Sequence, residues 1–195
     1  MDFTDLLNKY HIMPQFPPSA VRQTAKMPTE VAARDTEGRE DLTSKLIITI
    51  DGDDAKDFDD AVSLEKTKDG SYILGVHIAD VTHYVTEGSA IDNAAFLRGT
   101  SVYLIDTVVP MLPLELSNGL CSLRPNEIRL TLSVFMEFTQ RGKMTGYRIS
   151  KSFIRSHDRM TYNNVTKILE GDKELCKRYA HLVPMLKSMK RLAEI

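Results

Sequence analysis

Hydrophobic and polar positions divide the chain into a helical beginning, an alternating middle and a helical end. Residues 4–12 and 18–27 read as short helices, with Pro17 and Pro18 suited to the turn that enters the second. Pro28 and the polar run to Asp41, broken by Gly38, form a lead-in. The period then becomes two. Leu46-Ile47-Ile48-Thr49-Ile50 is a β-branched run suited to a buried strand. Strands are predicted at 61–65 and 72–78, joined by an Asp69-Gly70 hairpin turn. In the second of these Tyr72, Leu74, Val76 and Ile78 share a face. Residues 89–98 read as a helix, with Gly99 near its end as the stop.

Pro110, Pro113 and Gly119 punctuate residues 104–127, which predicts an ordered loop. Leu130, Leu132, Val134, Met136 and Phe138 then alternate with Thr131, Ser133 and Glu137, and only Phe135 breaks the pattern. Residues 145–155 read as the partner strand, with Gly142 in the turn. Residues 161–170 read as a helix. Leu175, Tyr179, Leu182, Leu186, Met189 and Ala193 follow at helical spacing, with Pro184 forcing a kink or a restart. The fold class expected is α+β: a mixed, mostly antiparallel sheet with packed helices. The apolar stripe is still running at Ile195, so the natural protein is expected to continue beyond it.

Composition narrows the class. With 42% hydrophobic residues, 195 residues can bury a real core. No apolar run approaches the roughly 20 residues of a membrane span, and the N-terminus lacks the basic flank of a signal peptide. Cys121 and Cys176 show no metal-ligand spacing and fit a reducing compartment, so a cytoplasmic location without membrane contact is expected. The net charge of −2 conceals an asymmetry. Residues 141–195 hold 13 Lys/Arg against 5 Asp/Glu, whereas six acids fall between Asp51 and Asp60. A basic segment behind a concentrated acidic loop suits a protein that binds a polyanion and holds metal to cut it, although a solvated amphipathic surface would look the same.

The acids stand at Asp51, Asp53, Asp54, Asp57, Asp59 and Asp60, directly after the buried strand. Six carboxylates repel one another unless a cation neutralises them, and Mg²⁺ prefers such oxygens together with water and substrate phosphate. An EF-hand register fails, because Ala55, Lys56 and Val62 stand where an oxygen ligand, glycine and glutamate are needed. A haloacid-dehalogenase phosphatase signature begins well at Ile48-Thr49-Ile50-Asp51-Gly52-Asp53 but meets Ala55 where a hydroxyl or valine belongs. A nuclease-type two-metal site is compatible. His77, Asp80 and His83 read as structural rather than as a second metal site.

The stretch Ile50-Asp51-Gly52-Asp53-Asp54-Ala55-Lys56-Asp57-Phe58-Asp59-Asp60-Ala61 resembles the signature of the ribonuclease II/ribonuclease R family, in its ribonuclease R branch. Val76 to Val81, Pro110 to Pro113, Leu120 to Pro125 and Ser156 to Tyr162 resemble further family segments in the same order. The resemblance implies a 3′→5′ exoribonuclease that releases nucleoside 5′-monophosphates from single-stranded RNA with Mg²⁺ and no small-molecule cofactor. It implies catalytic roles for Asp51, Asp57, Asp59 and Asp60, with Asp51, Asp60 and Asp57 as metal ligands and Asp59 the most sensitive position. Tyr103 and Tyr162 match substrate-contacting tyrosines. Arg148, Lys151, Arg155 and Arg159 could follow the phosphate backbone, or simply protect a solvated strand edge. Residues 1–40 are expected as a helical lead-in and 41–195 as the N-terminal part of the catalytic domain. The family's cold-shock domains, the second half of its catalytic domain and its S1 domain have no counterpart in these residues, so this stretch alone is expected to be weak or inactive. A non-catalytic RNA-binding module and the phosphatase are the competing readings.

Overall fold

In the computed structural model, residues 3–104 and 107–195 are described; Ile105 and Asp106 of the predicted loop lie outside them, as do the first two residues. The chain divides into two compact units, one of Met1–Glu30 with Val81–Leu120, the other of Val31–Asp80 with Cys121–Ile195. The first holds α1 (Phe3–Lys9), α2 (Pro18–Thr24), α3 (Ala90–Arg98) and a small hairpin of β5 (Val102–Tyr103) with β6 (Val108–Val109). Pro18 opens α2, where the missing amide hydrogen costs nothing. Ser89 caps α3 by accepting from Asp92 N at 3.2 Å, and Gly99 ends it with φ 72°. Ala20 and Ile91 are fully buried where these helices pack, and Gln23 Oε1 accepts from Ile91 N at 3.0 Å. The loop predicted at 104–127 is interrupted by β6 and by a helical turn at Leu116–Leu120.

The second unit is a seven-stranded sheet. Its strands are β1 (Glu40–Asp41), β2 (Ile48–Asp51), β3 (Asp60–Lys66), β4 (Tyr72–Ala79), β7 (Ile128–Phe138), β8 (Met144–Arg155) and β9 (Asp158–Thr161), in the spatial order β1-β8-β7-β4-β3-β2-β9. The outermost pairs, β1 with β8 and β2 with β9, are parallel; the inner ones are antiparallel. The expected α+β class, with a mixed, mostly antiparallel sheet, is therefore what forms. The Asp69-Gly70 turn closes β3 onto β4, with Gly70 at φ 84°, a value that suits glycine.

Helices α4 (Tyr162–Glu170), α5 (Lys173–Arg178) and α6 (Val183–Ala193) follow β9, and Pro184 marks a restart rather than a kink, in the first turn of α6. Ile168, Leu182, Met185 and Leu186 bury their apolar stripe against Ile48, Leu64, Tyr72 and Met160 of the sheet. Burying one such side chain contributes about 1.5–3 kcal/mol, which is what holds these short helices in place.

The alternation in β7 gives the strand but not which face is covered. Thr131 and Ser133, at its polar positions, are wholly buried, as is Phe135, whereas Leu132 on the apolar face is 44% exposed. Lys45 Nζ and the Arg148 guanidinium lie 5.8 and 4.0 Å from the Phe135 ring centre. The polar face is thus covered, and its hydroxyls bond one another instead of water. His77 lies wholly buried among them, the structural role its spacing suggested.

Candidate metal centre and its acidic loop

The antiparallel pairing of β2 with β3, Ile48 opposite Val62, brings the last residue of β2, Asp51, beside the first of β3, Asp60. The acids feel one another. The Asp51 carboxyl is raised above its usual range by burial and then by the charge of Asp60, with Asp57 adding to it. Asp59 is raised as well, by crowding that strips water from one side of an otherwise exposed carboxyl, then by Asp57 and Asp60. Four carboxylates named in the sequence, Asp51, Asp57, Asp59 and Asp60, therefore form one electrostatically coupled set.

Asp51 Oδ2 is buried with no hydrogen bond of normal geometry among the described residues, and the Thr49 hydroxyl, itself without one, pulls against the rise of this carboxyl. A buried, unpaired carboxylate oxygen costs several kcal/mol unless a proton or a cation joins it. An all-oxygen anionic donor set suits Mg²⁺, which takes one or two carboxylates and completes its shell with water and phosphate. Among the described residues no group of three ligating side chains is drawn together as a metal site, so an ion held here would take part of its shell from water or phosphate.

The loop between the strands is held by residues remote in sequence. Arg159, on β9, donates from Nη2 to the carbonyls of Gly52 (2.9 Å), Asp53 (2.6 Å) and Ala55 (3.4 Å), bonds that span 104 to 107 residues. Its guanidinium carbon is 5.3 Å from the Phe58 ring centre. Asn163 in α4 donates to the Asp53 carboxylate. From the other direction the buried Ser122 hydroxyl accepts from Phe58 N at 3.1 Å and donates to Lys56 O at 3.0 Å, while Leu123 N donates to Phe58 O at 2.8 Å. Asp53 is thereby committed to a structural bond, and Asp54 is exposed.

The remaining residues singled out in the sequence fall in three places. Thr161 pairs with Asp51 across β9 and β2, so Tyr162, 63% exposed, stands directly after the residue that flanks the acid set. Tyr103 is exposed on β5, in the other unit. Arg148, Lys151 and Arg155 lie on β8, separated from β2 by β7, β4 and β3. Arg148 makes a forked pair with Glu40 at 2.6 and 2.8 Å, and the bonds to Arg148 hold the Glu40 carboxyl at about 2. Lys151 is exposed in the same cross-strand row as Asp60, through Ile78 and Leu132. Arg159 is engaged by the loop carbonyls, and nothing local in the sequence marked that role or the one played by Ser122.

Comparison with known proteins identifies the family. Residues 39–195 match the RNB domain. Ribonuclease R of Thermotoga maritima is 52% identical over 181 residues, 93% of this chain and 25% of that protein. Ribonuclease R 1 of Lactococcus lactis is 45% identical over the whole chain, which covers 24% of it. The chain thus spans about a quarter of the length of these relatives. Mycoplasma genitalium RNase R, solved in complex with ribose-methylated single-stranded RNA, superposes with a TM-score of 0.87 at 29% identity over 98% of this chain and 30% of that one. Yeast Ssd1, described as a pseudonuclease, shares the fold with a TM-score of 0.66 at 23% identity over 77% of this chain and 19% of that one, so the fold by itself does not supply catalysis. Among the described residues no helix is long and apolar enough to cross a membrane. The family match over 39–195 and the relatives at 45–52% identity place the chain in the RNB-domain family, among proteins similar to ribonuclease R.

Proposed function

We propose that this chain is the metal-holding part of a 3′→5′ exoribonuclease that hydrolyses single-stranded RNA to nucleoside 5′-monophosphates. The observation that carries the reading is the coupled set Asp51, Asp57, Asp59 and Asp60 with a buried, unpartnered Asp51 oxygen. Asp51, Asp60 and Asp57 would hold Mg²⁺. When bound, the ion supplies charge neutralisation at the scissile phosphate and lowers the cost of generating the attacking hydroxide. The chain's own residues do the rest. Asp59, an exposed residue raised by partial burial and by the charges of Asp57 and Asp60, would accept a proton at the reacting centre. Tyr162, exposed beside the acid set, offers a ring on which any base can stack, which suits digestion without sequence preference. Tyr103 is assigned the same role in the other unit. Arg155 and Lys151 are exposed on β8 and available to phosphates, whereas Arg148 must first leave Glu40.

Because the chain spans about a quarter of its relatives' length, the activity is assigned to a protein of that full length and little of it to these residues alone. The test uses a 5′-labelled single-stranded oligoribonucleotide and the chain extended to the length of its relatives. Mg²⁺-dependent shortening from the 3′ end with release of 5′-monophosphates is expected, and Asp59→Asn should slow it about a hundredfold or more. Internal cuts, or full activity in Asp59→Asn, would sink the assignment. RNA binding with no bond cut would favour a binding module instead.

A further inference from the structure

The acid set needs its loop held still, because four repelling carboxylates on a mobile turn would splay apart. The backbone from Gly52 to Phe58 makes little regular structure of its own; Ala55 N to Gly52 O, at 3.2 Å, is its internal bond. What restrains it comes from outside. One Arg159 nitrogen collects three carbonyls of the loop, and the same side chain lies over the Phe58 ring. Three carbonyls turned toward one cation cannot turn toward a metal. That leaves the interior of the turn to the carboxylates. Arg159 is also within electrostatic reach of Asp51, so it adds a positive charge behind the set without entering it. The strand that carries Arg159 is paired residue for residue with the strand that ends in Asp51, Thr49 opposite Arg159 and Asp51 opposite Thr161. The position of the guanidinium is therefore fixed relative to Asp51 by sheet register.

We propose that Arg159 is a positioning residue of the proposed metal centre: it gathers the Gly52, Asp53 and Ala55 carbonyls on one side of the loop and thereby directs the flanking carboxylates to a shared cation. The proposal rests on the metal-centre reading above. Arg159 touches neither the ion nor the RNA in this role; its single Nη2 nitrogen does the gathering while the guanidinium plane lies over Phe58.

Mn²⁺, a spectroscopic substitute for Mg²⁺, separates the possibilities. Its binding to the chain is followed by electron paramagnetic resonance, with Asp51→Asn as the control for the site, and Ala55 amide exchange is followed without metal. Arg159→Lys keeps the charge and a donor nitrogen but is shorter and loses the guanidinium plane over Phe58. It should raise the half-saturating Mn²⁺ concentration about tenfold, the equivalent of about 1.4 kcal/mol, and speed exchange at Ala55, while the circular dichroism spectrum stays unchanged. Arg159→Gln should do at least as much. If Arg159→Gln binds Mn²⁺ as the unsubstituted chain does, or leaves Ala55 exchange unchanged, the gathering role is wrong; weakened Mn²⁺ binding in Arg159→Gln with Ala55 exchange unchanged would mean that only charge matters. If the unsubstituted chain shows no Asp51-dependent Mn²⁺ binding, the metal-centre reading itself falls and takes this proposal with it.

Discussion

The hydroxyls around His77 and the carboxylates of the 51–60 loop are both polar clusters on one sheet, and they meet burial in opposite ways. His77 Nε2 lies 3.1 Å from Ser63 Oγ and its Nδ1 lies 2.7 Å from Ser133 Oγ. Ser133 continues to Ser152 at 2.6 Å, and Ser152 to Thr131 at 2.8 Å. Gly75 makes room for this set, since a Cβ there would stand 2.4 Å from Ser63 Oγ. Every member has a partner and nothing is left for a ligand. The loop is the reverse: its backbone is pinned by Arg159 and Ser122, yet the Asp51 oxygen has no partner and the acids around it repel. A satisfied polar network specifies structure; a pinned loop that leaves a buried carboxylate oxygen without a partner is a candidate binding site.

The largest effect that sharpens this contrast is expected at the satisfied cluster. His77→Ala leaves a cavity, orphans the buried Ser63 hydroxyl and takes one of the bonds of Ser133, so urea unfolding should show a loss of about 3–5 kcal/mol. A loss below that of an ordinary surface change would mean the network is not the structural element described. Next comes acid. Burial, then the nearby Lys45 charge, lowers His77 from 6.5 to about 4, against a smaller opposing pull from Glu40. Between those values only the unfolded chain takes up the proton, so this stability is fully present above the upper value and is lost as the pH falls through the window. The difference corresponds to about 3 kcal/mol. Melting curves across that range should show the decline, and His77→Ala should flatten it. The smallest effect has the opposite sign and belongs to the loop. Asp51→Asn removes one repelling charge and should raise stability in metal-free buffer by about 1 kcal/mol or less. Mg²⁺ is expected to raise the melting temperature of the unsubstituted chain, and Asp51→Asn should abolish that rise. Destabilisation by Asp51→Asn without metal would erase the distinction between the two clusters.

The element types were largely legible because their periods are local. The β-branched run before Asp51, the Asp69-Gly70 turn, the capped helix before Gly99 and the restart at Pro184 each follow from a few adjacent side chains. β9 was not legible as a strand, because Asp158-Arg159-Met160-Thr161 is too short and too polar to announce one and exists by pairing with β2. Which face of β7 is buried was not legible for a related reason. Alternation says which residues share a face but not what covers it, and here the polar face is the better buried one.

By itself the sequence determined the acid inventory at Asp51, Asp57, Asp59 and Asp60, its place after a buried strand, the α+β class and the family resemblance. Only the tertiary structure decided which acids couple, that Asp53 is taken by Asn163, that Arg148 is taken by Glu40, and that Arg159 and Ser122 hold the loop. Local propensity acts over a few residues and can be read along the chain. Electrostatic coupling and hydrogen-bond satisfaction act through space, between groups as many as 110 residues apart, and exist only once the sheet has brought them together.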